Sequence, residues 1–182
     1  MWSFKDEARG ARREAARRFF SCLAFSLALP GLASCGFQLR GETKVGLASI
    51  AITRVNGSPV AVDVRRLLEQ GATKIVADPK LAAANLRILD EVREKTVFTI
   101  TGTGRVYEFQ LRLAIRYEVL IPGRDLPLVE PVEVETRRLI TYSETAPTAK
   151  EAEEQLLFKD MQVELAGRIV RQIALAHRNE LS

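Results

Sequence analysis

Between Arg105 and Ile121 the sequence RVYEFQLRLAIRYEVLI alternates with a period of two. Odd positions carry Tyr107, Phe109, Leu111, Leu113, Ile115, Tyr117 and Val119, and even positions carry Glu108, Gln110, Arg112, Arg116 and Glu118. Successive side chains of a strand point to opposite faces, so this run predicts one long strand with a greasy face and a wet face. Gly102-Thr103-Gly104 ahead of it reads as a hairpin turn to the preceding strand, Leu86 to Thr101, LRILDEVREKTVFTIT. There Leu86, Ile88, Val92, Phe98 and Ile100 share even parity and are expected on one face. The alternation fails at Asp90, Glu94 and Thr96, where a bulge or break is expected. After the long strand, Pro122-Gly123-Arg124-Asp125 turns the chain towards Val129–Tyr142, a further strand ending in RRLITY.

Helical signals flank this meander. Lys44 to Val55, KVGLASIAITRV, is β-branched and apolar enough for a strand, and Asn56-Gly57 stops it. Ser58 then supplies a helix N-cap with Pro59 at the first helical position, where a missing N–H costs nothing. Val60, Val64, Leu67 and Leu68 fall on one face of that helix, and Gly71 stands where a left-handed C-cap is expected. Near the end of the chain Thr148 is expected to cap a second helix, with Glu151 completing a capping box. Leu157, Met161, Leu165, Ile169, Ile173 and Ala176 then form a stripe at spacings of four and three. Such a stripe must lie on an apolar surface, and the greasy face of the sheet provides one. The expected fold is therefore α+β, a two-layer sandwich: a mixed, mostly antiparallel sheet of about four strands with two helices on one face. The other face stays polar, rich in Arg and Glu.

The first 34 residues do not join this pattern. A basic region with Arg9, Arg12, Arg13, Arg17 and Arg18 precedes FFSCLAFSLALPG, Phe19 to Gly31, an uncharged run about a dozen residues long. A spanning helix needs ~20 apolar residues, so the run suits the core of an export signal instead. Leu32-Ala33-Ser34-Cys35 after it resembles a bacterial lipobox, in which the cysteine is lipidated and becomes the first mature residue. The alternative is an ordinary signal-peptidase site with a small buried cysteine beside it. Arg17-Arg18-Phe19-Phe20 resembles part of a twin-arginine signal, and a chance arginine pair in a basic leader would look the same. The expected organisation is a signal peptide at 1–34, a lipidated linker at 35–43, one domain at 44–178 and a short tail at 179–182.

Removing the leader changes the charge reading. It holds six of the 27 Lys and Arg and three of the 23 Asp and Glu, which leaves 21 and 20 and a net charge of +1 instead of +4. The high pI is thus mostly the leader's and gives no argument for nucleic acid. Cys22 leaves with the leader, so no disulfide framework is expected. A diacylated Cys35 would supply two acyl chains, enough for stable membrane attachment.

Catalytic chemistry has little to work with. His177, the single histidine, lies near the end of the last helix with no cysteine or carboxylate cluster to share a metal, and reads as a surface residue. Gly102-x-Gly104 lacks the third glycine and following helix of a phosphate loop. Ser58 and Ser143 have no histidine at hand, and Glu151, Glu153 and Glu154 read as a solvated helix start. A binding protein without metal, cofactor or catalytic residues is expected.

The residues together resemble the LPS-assembly lipoprotein LptE family. Cys35-Gly36-Phe37-Gln38-Leu39-Arg40-Gly41 is similar to the mature start of its members. Tyr107-Glu108-Phe109-Gln110 and Val119-Leu120-Ile121-Pro122-Gly123-Arg124-Asp125 resemble its aromatic strand and closing turn. The likeness spans 35 to 178, with 56 to 100 matching in pattern more than in residues. It implies an outer-membrane lipoprotein on the periplasmic side, plugging and helping to assemble LptD, the large β-barrel that inserts lipopolysaccharide, and contacting lipopolysaccharide itself. Gly36, which is not the aspartate that retains enteric lipoproteins at the inner membrane, fits that location. On this reading Glu108, Gln110, Arg112 and Arg116 face the barrel, whose lumen is polar. Arg105, Arg124, Arg137, Arg138 and Lys150 are candidates for lipopolysaccharide phosphates. Lys150 falls on a basic position of the family, whereas the other such position falls near Gly102, leaving Arg105 as its neighbour. Two other classes stay open: a transport-auxiliary periplasmic lipoprotein that binds phospholipid or an inner-membrane transporter, and a tethered hydrolase.

Overall fold

A computed structural model describes residues 45–54, 57–143 and 145–181, so Cys35 and the leader lie outside the described residues. Five strands and two helices occur there, in the order β1 (Ser49–Arg54), α1 (Pro59–Gln70), β2 (Lys74–Ile75), β3 (Ala84–Ile100), β4 (Val106–Leu120), β5 (Val129–Thr141) and α2 (Pro147–Leu181). They build one sheet in the order β2-β1-β3-β4-β5, parallel from β2 to β3 and antiparallel from β3 to β5. Where the sequence predicts about four strands, the described residues form five. β2 pairs over two residues only, Lys74 with Ser49 and Ile75 with Ile50, too few for any period to show.

Both helices pack together and against the sheet, α1 on β1 and β2 and α2 on β4 and β5. The core they enclose holds Ile50, Val60, Val64, Leu68, Leu86, Ile88, Leu111, Leu113, Ile115, Tyr117, Met161, Leu165, Ile169 and Ile173. The odd positions of β4 from Leu111 to Val119 and the stripe of α2 are therefore inside, as their periods require, with Phe158, Ala166, Val170 and Ala174 widening the stripe, while Tyr107 at the start of β4 stays half exposed. Tyr117 brings a hydroxyl into this layer. It donates to Gln172 Oε1 at 2.7 Å, and burial raises its pKa.

Local signals act at the turns. Ser58 Oγ accepts from the Ala61 N–H at 3.1 Å, with Pro59 opening α1. Gly104 has φ +80° and closes a three-residue hairpin loop, with the Thr101 N–H donating to the Arg105 carbonyl at 2.7 Å. In the second turn Pro122 precedes Gly123, whose φ is +82°, and the Arg124 N–H reaches the Ile121 carbonyl at 3.1 Å, the pattern of a type II turn.

Other expectations are corrected. Gly71 is not left-handed: its φ is −77°, and Ala72 next to it takes φ +63°. The Thr73 N–H bonds to the Leu68 carbonyl and the Ala72 N–H to that of Glu69, so the helix ends in a Schellman motif displaced by one residue. α2 opens at Pro147, which places Thr148 inside the first turn instead of at the cap, and it runs to Leu181 through most of the expected tail. His177 therefore lies within the helix and is half-buried, where the sequence predicts a surface residue. It packs beside Gly46, where an added Cβ would come within 3.3 Å of its Cδ2, and its Nδ1 is buried without a hydrogen-bond partner.

The largest correction concerns β3. Its register against β4 shifts between Ile88 and Asp90. Leu86 and Ile88 stand opposite Val119 and Tyr117, but Glu91, Arg93, Lys95 and Val97 stand opposite Ile115, Leu113, Leu111 and Phe109. The extra residue, Leu89, exchanges the faces. Val92 consequently does not share the face of Leu86 and Ile88, and charged residues occupy the helix side from Glu91 to Lys95.

Candidate partner and ligand surfaces

The face of the sheet away from the helices is a charged lattice. At its centre Arg112 donates from Nε to Glu135 at 2.6 Å, from Nη2 to Glu133 at 2.8 Å and from Nη1 to Glu94 at 3.2 Å. The register explains this convergence, since Glu94 and Arg137 flank Arg112 on the neighbouring strands. Arg112 holds the Glu135 carboxyl below the usual carboxylate range, and Arg137, bonded to Glu135 at 2.7 Å, adds to the effect. Glu108 accepts from Thr99 Oγ1 at 2.9 Å, and Arg87 pairs with Glu118 at 2.9 Å. Gln110 is half-buried on the same face, opposite Leu139. Arg116 is exposed, between Asp90 and Glu133 in the register, and makes no ion pair among the described residues. The four expected partner-facing residues thus share a face but differ in freedom, with Arg112 held from three sides.

The five basic candidates do not form one site. Arg105 sits at the hairpin tip, where its N–H donates to Thr101 Oγ1 at 3.1 Å. Lys150 lies in the first turn of α2 at the same end of the sheet, donating to Thr141 Oγ1 at 3.0 Å and Glu153 at 2.8 Å. Arg124 is in the β4–β5 turn and pairs with Glu180 near the other end of α2 at 2.6 Å. Arg137 and Arg138 are on opposite faces of β5. Arg138 points to the helix side and binds Glu164 at 2.5 Å.

A cleft of about 130 Å³ opens beside Lys150, lined by Lys95, Phe109, Ile140, Tyr142 and Pro147 among others. Lys95 lies 4.5 Å from the centre of the Phe109 ring and bonds to Glu154 at 2.6 Å. Tyr142 meets Phe109 edge to face at 5.7 Å. Beyond the cleft the tip exposes Val97, Phe98, Ile100 and Tyr107, each about half accessible. Lys95 is a functional-site residue that the period of the strand does not single out. The irregularity at Asp90 was its signal, but the change of face follows from the pairing with β4.

Deeper in, Glu91 accepts from Ser58 Oγ, so one side chain caps α1 and ties it to β3. Burial raises the Glu91 pKa above the ordinary carboxylate value, more than its hydrogen bonds lower it. Among the described residues no cluster of three His, Cys, Asp or Glu could hold a metal, and no helix is long and apolar enough to cross a membrane.

This arrangement of sheet and helices occurs in known proteins. A model of the LptE lipopolysaccharide-assembly family matches residues 47–173. The chain belongs to the LptE family. The LPS-assembly lipoprotein LptE of Yersinia enterocolitica is similar to it at 31% identity over 163 residues, 87% of this chain and 77% of the relative. The protein of the same name from Yersinia pestis strain Pestoides F gives the same identity and coverage. Among solved structures, the uncharacterized lipoprotein B of Nitrosomonas europaea superposes with a TM-score of 0.67 at 28% identity, over 76% of this chain and 90% of that one. The rare lipoprotein B of Shewanella oneidensis gives 0.65 at 24% identity over 74% and 99%, and bears on the fold alone. For an LptE-family chain the two-layer α+β architecture is therefore the expected one.

Proposed function

We propose that this chain is a non-catalytic outer-membrane lipoprotein of lipopolysaccharide assembly, anchored through Cys35, which plugs the LptD barrel and helps it to assemble. The observation that carries the reading is the open, charged face of the sheet in a chain of this family. A barrel lumen is polar, and a plug within it needs a surface that can exchange ion pairs and hydrogen bonds for water. Glu108, Gln110 and Arg116 offer such groups, while Arg112 keeps the lattice in shape. Lipopolysaccharide contact is assigned to the tip end, where Lys150 and Arg105 provide cations for phosphate and the cleft beside Lys150 provides apolar surface. Arg124, Arg137 and Arg138, none of which lines that cleft, are secondary candidates.

Co-purification from detergent-extracted membranes tests the first activity. Arg116→Glu should weaken recovery of the barrel at a smaller cost to the fold than a change at Arg112, because Arg116 makes no ion pair among the described residues and only Asp90 and Glu133 would face the new carboxylate in the register. Arg112→Glu would set a fourth carboxylate among three and damage the sheet itself, so it is the less informative variant. Binding to lipopolysaccharide tests the second: Lys150→Glu and Arg105→Glu should weaken it, and added salt should weaken it further. Cys35→Ala should leave uncleaved precursor or a soluble form. Recovery of phospholipid or an inner-membrane transporter, with neither barrel nor lipopolysaccharide, would replace this reading with the transport-auxiliary one.

A further inference from the structure

β5 is an outer strand of the sheet, paired only with β4 among the described residues. The Tyr142 N–H donates to the Tyr107 carbonyl at 2.8 Å, and the register continues with Ile140 opposite Phe109, Arg138 opposite Leu111 and Thr136 opposite Leu113. In an antiparallel ladder, residues that exchange hydrogen bonds with the neighbour alternate with residues whose N–H and C=O point away. From Val132 to Tyr142 the even-numbered residues therefore bond to β4, up to the register shift that sets Val129 opposite Val119. The backbones of Glu133, Glu135, Arg137, Leu139 and Thr141 face the free edge, with Pro131 in the irregular stretch where that edge begins, and the edge is long enough to template another strand.

Three features occupy that edge. Pro131 has no N–H to offer. The Glu135 carbonyl accepts from Arg168 Nη1 at 3.1 Å, and the Arg137 carbonyl accepts from Arg138 Nη1 at 2.9 Å. One carboxylate positions both arginines, since Glu164 of α2 binds Arg138 Nη2 at 2.5 Å and Arg168 Nη2 at 2.5 Å. The helix thus places guanidinium groups on the carbonyls that an incoming strand would need.

We propose that Pro131, Arg138 and Arg168 close the β5 edge against strand addition by a second copy of this chain. The second copy is the occupant because the edge is self-complementary. A two-fold axis through Thr136 sets Glu135 against the second copy's Arg137 and repeats that pair on the other side, with no like charges opposed at those positions. The assignment gives Arg138 and Arg168 a job on the backbone, separate from any ligand.

The test uses the full-length chain extracted in detergent, with light scattering that separates protein mass from detergent mass. Pro131→Val combined with Arg138→Ala and Arg168→Ala should double the protein mass at a concentration where the parent chain is monomeric, with an unchanged circular dichroism spectrum. Adding Leu139→Pro, which removes one more outward N–H without touching the β4 ladder, should restore the parent mass. A folded triple variant that keeps the parent mass would overturn the proposal, as would a dimer that survives Leu139→Pro. If the triple variant does not fold, Arg168→Ala alone decides on the same readout: a raised dimer fraction supports the guard, and an unchanged mass refutes it.

Discussion

The two ends of the β3–β4 hairpin lie over the same helix layer yet are built from different chemistry. At the closed end Leu86, Ile88, Tyr117 and Val119 are sealed beneath the helices. At the tip end the same face of β3 carries Glu91, Arg93 and Lys95, and its contacts are a hydrogen bond to Ser58, a guanidinium 3.7 Å above the Phe158 ring and an ion pair with Glu154. One bulge residue, Leu89, separates the two regimes. The difference teaches that a sheet face is defined by its pairing. β4 keeps its apolar side inward along its buried length, whereas β3 changes sides midway, so that apolar stems and charged heads cover what Leu or Ile would otherwise cover.

The largest effects should come from the closed end and the centre of the core. Leu113→Ala, Ile115→Ala and Leu165→Ala each remove a fully buried side chain, and each should cost about 2–5 kcal/mol, read as a fall in the urea midpoint. At the charged end the interaction is weaker: a double-mutant cycle on Arg93→Ala and Phe158→Ala should give a coupling of about 0.5–1 kcal/mol, as for an exposed cation over an aromatic ring. A coupling comparable to the core losses would erase the contrast between the ends.

Glu91 marks the border between them, and its sign can be worked out. Its folded pKa is raised above the ordinary value of 4.5, so its contribution to stability is fully present below that value and is lost as pH rises through the folded pKa. Glu91→Gln should therefore stabilise the protein relative to wild type at neutral pH. The gap should shrink as pH falls through the carboxylate range, and thermal melts across that range would reveal a gap of the opposite trend if the sign is wrong. The smallest effect is expected on the open face, where Arg116→Ala should change the urea midpoint by no more than about 0.5 kcal/mol equivalent.

Much of this architecture was legible in the sequence because it rests on local rules. The period of β4 and the stripe of α2 follow from the geometry of strand and helix, and Ser58-Pro59, Gly104 and Gly123 follow from caps and backbone dihedrals. Such rules act over a few residues, and they also brought Glu108, Gln110, Arg112 and Arg116 to one face. What the tertiary structure decided lies at longer range. β2 exists because β1 offers two residues an edge. Ala72 takes the left-handed position because the chain reverses into β2 there, one residue after the glycine suited to it. His177 is half-buried because Gly46, distant in sequence, packs beside it. Arg112 and Arg116, four residues apart and alike in sequence, were separated by partners across the sheet: Glu94, 18 residues away, and Glu133 and Glu135 on β5 gather around the first. Lys95 likewise meets Glu154, 59 residues on. Periodicity tells which residues alternate, but the side each reaches and the charge it meets depend on strand register, which bulges and distant contacts set together.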